Sequence, residues 1–285
     1  MIEVLSWNIQ CGLGVDGRHD LVRIAGTVRA LGDPDVICLQ EVCRFMPALD
    51  GEGADQVAAL ARLFPSYEAL FGPGLEWRPA PAGDYRQIGN LILSRLPVES
   101  VSRHVLPRPA HQGVKHMQRQ ALEVTLRVGE SSFRVMTTHL EFHSERQRRA
   151  QVERLRVLQR EALDNHAAPP LPVAEGPYAQ LPRPADCVLC GDFNLVVDDE
   201  EYRLMLAEDG GAGPLFRDAW TLARGDEPHQ PTCGLFDREQ WPQGPHCRDF
   251  FFVTPGLAPA LAAFAVDVAT AASDHQPLSL RLDIA

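Results

Sequence analysis

Apolar and polar positions change period several times along this chain, and each change predicts an element. Ile2 to Trp7 alternates and predicts a strand ending at Asn8. The glycine-rich run from Cys11 to His19 is loop-like. From Asp20, apolar residues fall at Leu21, Ile24, Ala25, Val28 and Leu31, a helical spacing with Asp20 as N-cap, and Gly32-Asp33-Pro34 stops it. Val36 to Leu39 is continuously apolar, as in a strand buried on both faces, and ends at Gln40-Glu41. A second helix is expected over Gly53 to Leu63, and a surface loop over Gly72 to Gly83. Ile88 to Leu93 reads as a strand broken by Gly89-Asn90. Ala121 to Val128 and Ser132 to Thr138 alternate around Gly129-Glu130, a hairpin signal, and the second run ends at His139. Ser144 opens a long polar helix reaching about Asn165, and the proline-rich run 167–184 is a linker or excursion. Cys187 to Leu189 is a short strand entering Gly191-Asp192-Phe193-Asn194. A helix over Asp198 to Leu206, a loop over Phe236 to Cys247, and strands at Phe250 to Val253, Phe264 to Val268 and Leu278 to Ile284 complete the chain.

Strands outnumber helices, and several neighbours are hairpin-joined. The expected fold is therefore α/β of the layered kind, two mainly antiparallel sheets face to face with helices outside, in a single domain spanning 1–285. Nothing repeats at a fixed period.

Composition narrows the functional classes. With 45% hydrophobic and 23% charged residues the chain is ordinary for a globule, and it lacks an apolar run long enough to span a membrane. Strand-like sequence from Ile2 leaves no room for a secretory signal. Seven scattered cysteines do not make a disulfide framework and suit a reducing cytoplasm. Cys187-Val188-Leu189-Cys190 matches C-x-x-C, but inside an apolar strand it reads as two buried residues. The net charge of −11 disfavours a polyanionic partner such as nucleic acid without forbidding a local basic patch. One such patch is Arg103 to Arg119, which holds four Arg or Lys and three His without an acid; it reads equally as a solvated loop or as a rim that draws in an anion.

The candidate chemistry sits where strands end: Asn8, Glu41, His139, Asp192, Asn194, Asp249, Asp274 and His275. The carboxylates and amides among them suit a hard divalent cation such as Mg2+ (or Mn2+), which accepts one or two carboxylates and lets phosphate complete its shell. Histidines beside such an ion suit phosphoester hydrolysis, one stabilising phosphoryl charge while a carboxylate takes a proton from water. Singly, each has a plainer reading: Glu41 as a surface acid, Asp192-Phe193-Asn194 as an Asx turn, Asp249 as a strand start. The i, i+4 spacing of His139 and His143 would suit zinc only on a helix, and the preceding residues alternate as a strand.

Seven segments carry a family resemblance: Ser6-Trp7-Asn8-Ile9, Leu39-Gln40-Glu41-Val42, Gly89 to Arg95, Thr138-His139-Leu140, Gly191 to Asn194, Arg248 to Phe252 and Ser273 to Pro277. In this order the chain resembles the endonuclease/exonuclease/phosphatase superfamily. Its relatives include abasic-site endonucleases, type I deoxyribonuclease, neutral sphingomyelinases, inositol 5-phosphatases and deadenylases. The resemblance implies a DNase I-like four-layer α-β-β-α sandwich with a metal site at one edge. It implies Glu41 as principal metal ligand, supported by Asn8 and Asp274. It further implies Asp192 as the residue that orients or deprotonates the attacking water, Asn194 as holding that water or a phosphate oxygen, and His275 and His139 as phosphate contacts. Asp249 would stand behind His275, with Arg119 and Asn90 near the substrate phosphate. Gln10 departs from the acid that some abasic-site endonucleases carry there, and His139 stands where they tend to have tyrosine. The expectation is a metal-dependent phosphoester hydrolase acting on a small organic or lipid-headgroup phosphoester. A nuclease, and a catalytically silent binding module on the same fold, are the alternatives. Oligomeric state is not legible.

Overall fold

The computed structural model describes residues 1–79, 83–211 and 213–284. Among the described residues there are twelve strands and six α-helices. The strands are β1 Ile2–Asn8, β2 Val36–Arg44, β3 Glu68–Trp77, β4 Arg86–Ser94, β5 Val98–Val105, β6 Gln120–Val128, β7 Ser131–His139, β8 Cys187–Asp192, β9 Arg217–Asp218, β10 Asp249–Val253, β11 Leu261–Val266 and β12 Leu278–Leu282. The helices are α1 Leu21–Ala30, α2 Pro47–Asp50, α3 Gln56–Leu63, α4 Glu145–Ala167, α5 Glu200–Leu206 and α6 Ala219–Arg224.

The strands form two six-stranded sheets, in the orders β11-β12-β1-β2-β4-β3 and β5-β6-β7-β8-β10-β9. Each sheet is mixed. Its two central strands are parallel, β1 with β2 and β7 with β8, and the remaining pairs are antiparallel. A parallel pair needs a crossover. The segments carrying α1 and α4 supply it, and this places one helical layer outside each sheet.

Periodicity accounts for the layers. Along β2, Val36 and Cys38 join the core between the sheets, whereas Ile37 and Leu39 pack outward with Ile24, Ala25 and Val28 of α1 and Leu60 of α3. The same alternation places Val188 and Cys190 of β8 inside and Cys187 and Leu189 under Val152, Leu155 and Leu158 of α4. The two cysteines of the C-x-x-C match are thus buried strand residues on opposite faces, and all seven thiols are free. Asp20 caps α1 through the Arg23 N–H, and Ser144 caps α4 through the Gln147 N–H. No helix among the described residues is long and apolar enough to cross a membrane.

Several expected boundaries are corrected. β2 does not stop at Gln40-Glu41 but continues to Arg44, with an irregularity in register between Leu39 and Val42. Of the loop expected at 72–83, residues 72–77 are strand, because β3 pairs along the length of β4; residues 80–82 lie outside the described residues. β4 is not broken by Gly89-Asn90. A Cβ on Gly89 would lie 2.0 Å from Gly72 O, so glycine there permits the close approach of β3. The second helix begins at Gln56 with Asp55 as its cap. Too short for a periodicity, α2, β9 and α6 left no signal in the sequence. Trp77 covers a core edge with Cys43, Met46 and Ile88.

Candidate active site

Sheet order brings the polar strand ends together. Because β1 and β2 run parallel, Asn8 and the Gln40-Glu41 step lie at one edge. The parallel β7 and β8 place His139 opposite Asp192 at the corresponding edge of the other sheet. β10 runs back along β8 with Asp249 paired to Asp192. β12 runs back along β1, which leaves Ser273 to Pro277 beside the same edge. Asn90 lies in β4 between Gly89 and Leu91, the partners of Val42 and Leu39, so it faces the irregular step that carries Glu41.

Asn8 is the bridge between the sheets. Its Nδ2 donates to Glu41 Oε1 and to Asp192 Oδ2, both at 3.0 Å, while its Oδ1 accepts from the Gln10 N–H at 3.0 Å. In this arrangement Asn8 holds two carboxylates through its nitrogen and does not offer them its oxygen. Glu41 has a positive φ of 55°, a strained conformation for a non-glycine residue that swings its side chain toward the site. Gln40, fully buried, spans the sheets by donating to Thr137 Oγ1 at 2.9 Å.

Asp192 Oδ2 also faces both imidazoles, His139 Nε2 at 3.4 Å and His275 Nε2 at 3.7 Å. Its Oδ1 accepts from the Asn194 N–H at 2.9 Å, and Asn194 itself has φ 52° and donates from Nδ2 to Leu140 O. Gly191 makes this turn possible, since a Cβ there would sit 1.9 Å from Thr138 O. His275 Nδ1 meets Asp249 Oδ2 at 2.8 Å, and that oxygen also accepts from Thr232 Oγ1 at 2.6 Å. Asp274 points to the other side, where its Oδ2 accepts from Gln240 Nε2 at 2.6 Å and Trp241 Nε1 at 3.1 Å. A narrow pocket beside Glu41 and His139 is lined by Arg119, Asn90, Met117 and Gln118. Arg119 is buried against Glu141, Nε to Oε2 at 3.4 Å, and Asn90 Nδ2 faces Gln120 O and Thr137 O.

The electrostatics divide the two histidines. Burial, reinforced by the Arg119 charge, pushes His139 down to about 3, so it is neutral. Burial opposes charge on His275 too, but Asp249, Asp274 and Asp192 outweigh it and hold its pKa well above the ordinary value. Burial opposes the charge on Asp192, but the protonated His275 and the hydrogen bonds from Asn8 and the Asn194 N–H hold it below the ordinary carboxylate range. Asp249 is pushed up to about 6, chiefly by burial. Burial raises Glu41 as well, and the facing charge of Asp274 adds to it.

That last pair tests the site for a cation. Burial and the facing Asp274 make ionisation of Glu41 costly, and a bound positive charge would relieve that cost. Glu41 is the most open of the site's acids, with 28% of its side chain exposed. The donors are oxygen-rich, as a hard divalent ion requires. Asp192, Asp249 and His275 also group closely enough to share an ion, with ligand atoms within 4.8 Å of one another. In that group, however, Asp249 Oδ2 and His275 Nδ1 are already bonded to each other. The carboxylate-rich donor set at this edge therefore fits a divalent cation.

Every strand-end residue singled out from the sequence lies at this edge. His143 does not join them: it is exposed, and His139 ends a strand, which removes the helical zinc pairing. Part of the basic run has other occupations. Arg103 Nε donates to Phe71 O, His104 lies 3.7 Å from Glu123, His111 Nδ1 meets Ser144 Oγ, and only Arg119 lines the pocket. Thr232, Gln240, Trp241 and Glu141 were not foreseen. They come from loops without periodicity, and single polar residues in a loop carry no signal until a partner is seen.

The family described as Endonuclease/Exonuclease/phosphatase matches residues 5–275. Among curated proteins, none matches this chain. Several solved structures are similar. An endonuclease/exonuclease/phosphatase from Beutenbergia cavernae is 27% identical, with TM-score 0.68 over 99% of this chain and 71% of its own. A mannosyl-6-phosphatase from Bacteroides thetaiotaomicron is 16% identical, with TM-score 0.67 over 99% of both chains. The human Nocturnin catalytic domain with bound sulfate is 22% identical, with TM-score 0.59 over 98% of this chain and 92% of its own. With the match running from the first strand to the Asp274-His275 pair and two sheets meeting at one polar edge, this chain belongs to the endonuclease/exonuclease/phosphatase family, of DNase I-like fold.

Proposed function

We propose that this protein is a magnesium-dependent phosphoester hydrolase that uses water as its nucleophile, with manganese as a substitute ion. The observation that carries the reading is the Asn8 amide, which ties the solvent-facing Glu41 to the buried Asp192 across the two sheets. Glu41 would be the principal ligand and Asp274 the second, with Asn8 aligning Glu41. The ion, when bound, neutralises charge on the phosphoryl oxygens.

The chain's own residues supply the rest. Asp192, kept ionised, accepts the proton of the attacking water or aims that water, and Asn194 fixes the Asp192 carboxylate. His275, kept protonated by three acids and oriented by Asp249, donates to a phosphoryl oxygen as its charge grows. His139, neutral, donates a second hydrogen bond. Arg119 and Asn90 would line the phosphate side. The charge of −11 favours a small organic or lipid-headgroup phosphoester over a polyanion. A phosphorylated sugar, the substrate named for the Bacteroides neighbour, falls in that class. The free thiols fit a cytoplasmic location.

The test is hydrolysis of a panel of phosphomonoesters and diesters under magnesium or manganese titration. Asp192→Asn is expected to lower kcat by at least about a hundredfold. Glu41→Ala is expected to raise the metal concentration for half-maximal activity by about tenfold or more. Hydrolysis that survives EDTA undiminished would sink the metal-dependent reading.

A further inference from the structure

Arg248 precedes Asp249 and stands at the outer side of the site. Its guanidinium lies 5.2 Å from the Trp241 ring and 5.3 Å from the Phe142 ring. Nη1 donates to Asn194 O at 3.2 Å, and Nε donates to His246 Nε2 at 2.7 Å. His246 is fixed as the acceptor, since its Nδ1 meets Gly244 O at 2.7 Å and carries the proton there. Every polar partner of this guanidinium is therefore neutral, and among the described residues no carboxylate lies within 4.0 Å of it.

Other cations in or near the core are treated differently. Arg119 pairs with Glu141, Arg134 with Glu123, and Arg44 with Asp55. A half-buried guanidinium fixed by two aromatic rings and two neutral acceptors keeps its full charge for a ligand. Its position is telling. The Trp241 ring lies 5.6 Å from that of His275, so one indole separates Arg248 from the histidine assigned to the scissile phosphate. Phe142, 41% exposed, leaves the approach open beside it.

We propose that Arg248, held on Phe142 and Trp241, is a second anion-binding subsite that takes a non-reacting phosphate group of the substrate. The preferred substrate is then a small molecule with two phosphates separated by a sugar or polyol scaffold. This rests on the hydrolase reading of the neighbouring site. Arginine suits the role because its planar fork can present two N–H groups to one phosphate.

Calorimetric binding in magnesium tests it, comparing sorbitol 6-phosphate with sorbitol 1,6-bisphosphate. The wild-type protein is expected to bind the bisphosphate at least tenfold more tightly. Arg248→Met is expected to remove that preference while keeping monophosphate affinity and the circular dichroism spectrum, and Arg248→Lys to restore part of it. Equal affinities in the wild type overturn the subsite. So does a preference that survives in Arg248→Met, which would leave Arg248 as a structural clamp on two rings. The hydrolysis panel separates the two readings. A protein that prefers the bisphosphate through Arg248 but hydrolyses nothing keeps the subsite and loses the hydrolase assignment.

Discussion

Thr232 shows how much of the site rests on one hydroxyl. Its Oγ1 donates to Asp249 Oδ2 and accepts the N–H groups of Arg248 and Asp249 at 2.9 and 3.1 Å. Thr232→Val keeps the shape but leaves two N–H groups without that acceptor and loosens the acid behind His275. We expect a loss of about 3 kcal/mol in stability, read by urea unfolding, together with a lower kcat. Glu141 has a comparable role beside Arg119. It accepts the Met117 and His143 N–H groups and pairs with Arg119. Burial would raise its pKa, but the Arg119 charge and those two N–H groups hold it below the ordinary 4.5. A depressed carboxylate contributes stability that is fully present above its unfolded pKa and is lost as pH falls through its folded one. Glu141→Gln should therefore be less stable than the wild type at neutral pH, with the gap closing below about pH 4.5. A gap that stays constant from pH 7 to 3 in unfolding titrations would refute the assignment.

Among the elements, the parallel pairs β1–β2 and β7–β8 position the chemistry. Antiparallel neighbours put successive strand ends at opposite edges, and a parallel pair puts two C-terminal ends at the same one. This is why Asn8 and Glu41, and likewise His139 and Asp192, arrive together. Close contact between β7 and β8 depends on Gly191, whose φ is 137°. Gly191→Ala combines that conformation with a clash against Thr138 O and is expected to cost ~4 kcal/mol. Thermal unfolding would show it, and a wild-type melting temperature would contradict the packing argument. Most strands were legible because alternation reports a half-buried face, whereas β3, β5 and β9 were not. The parallel pairing was not, since each strand's periodicity is the same whichever way its neighbour runs. The end of β2 was misplaced for a related reason: the apolar run stops at Leu39, yet backbone pairing resumes at Val42.

At the scale of the molecule, net charge and the site pull in opposite directions. A chain of −11 repels anions in general, yet its polar edge gathers Arg119, Arg248 and a protonated His275. For a small substrate that local balance predicts weak dependence of KM on salt, measured between low and physiological ionic strength. A steep fall in affinity with salt would instead mark a phosphate polymer. The amino-acid sequence alone determined the layered class, the family resemblance and the strand-end residues, because burial alternation and motif order are properties of a line. It did not determine that Asn8 would face two acids with its nitrogen, that Thr232, Gln240 and Trp241 would hold Asp249 and Asp274, or that Arg248 would have no carboxylate partner among the described residues. Those depend on which loop crosses which strand end. Only the tertiary structure decided them, since hydrogen bonds between residues such as Asn8 and Asp192, 184 positions apart, are fixed by sheet order and not by sequence distance.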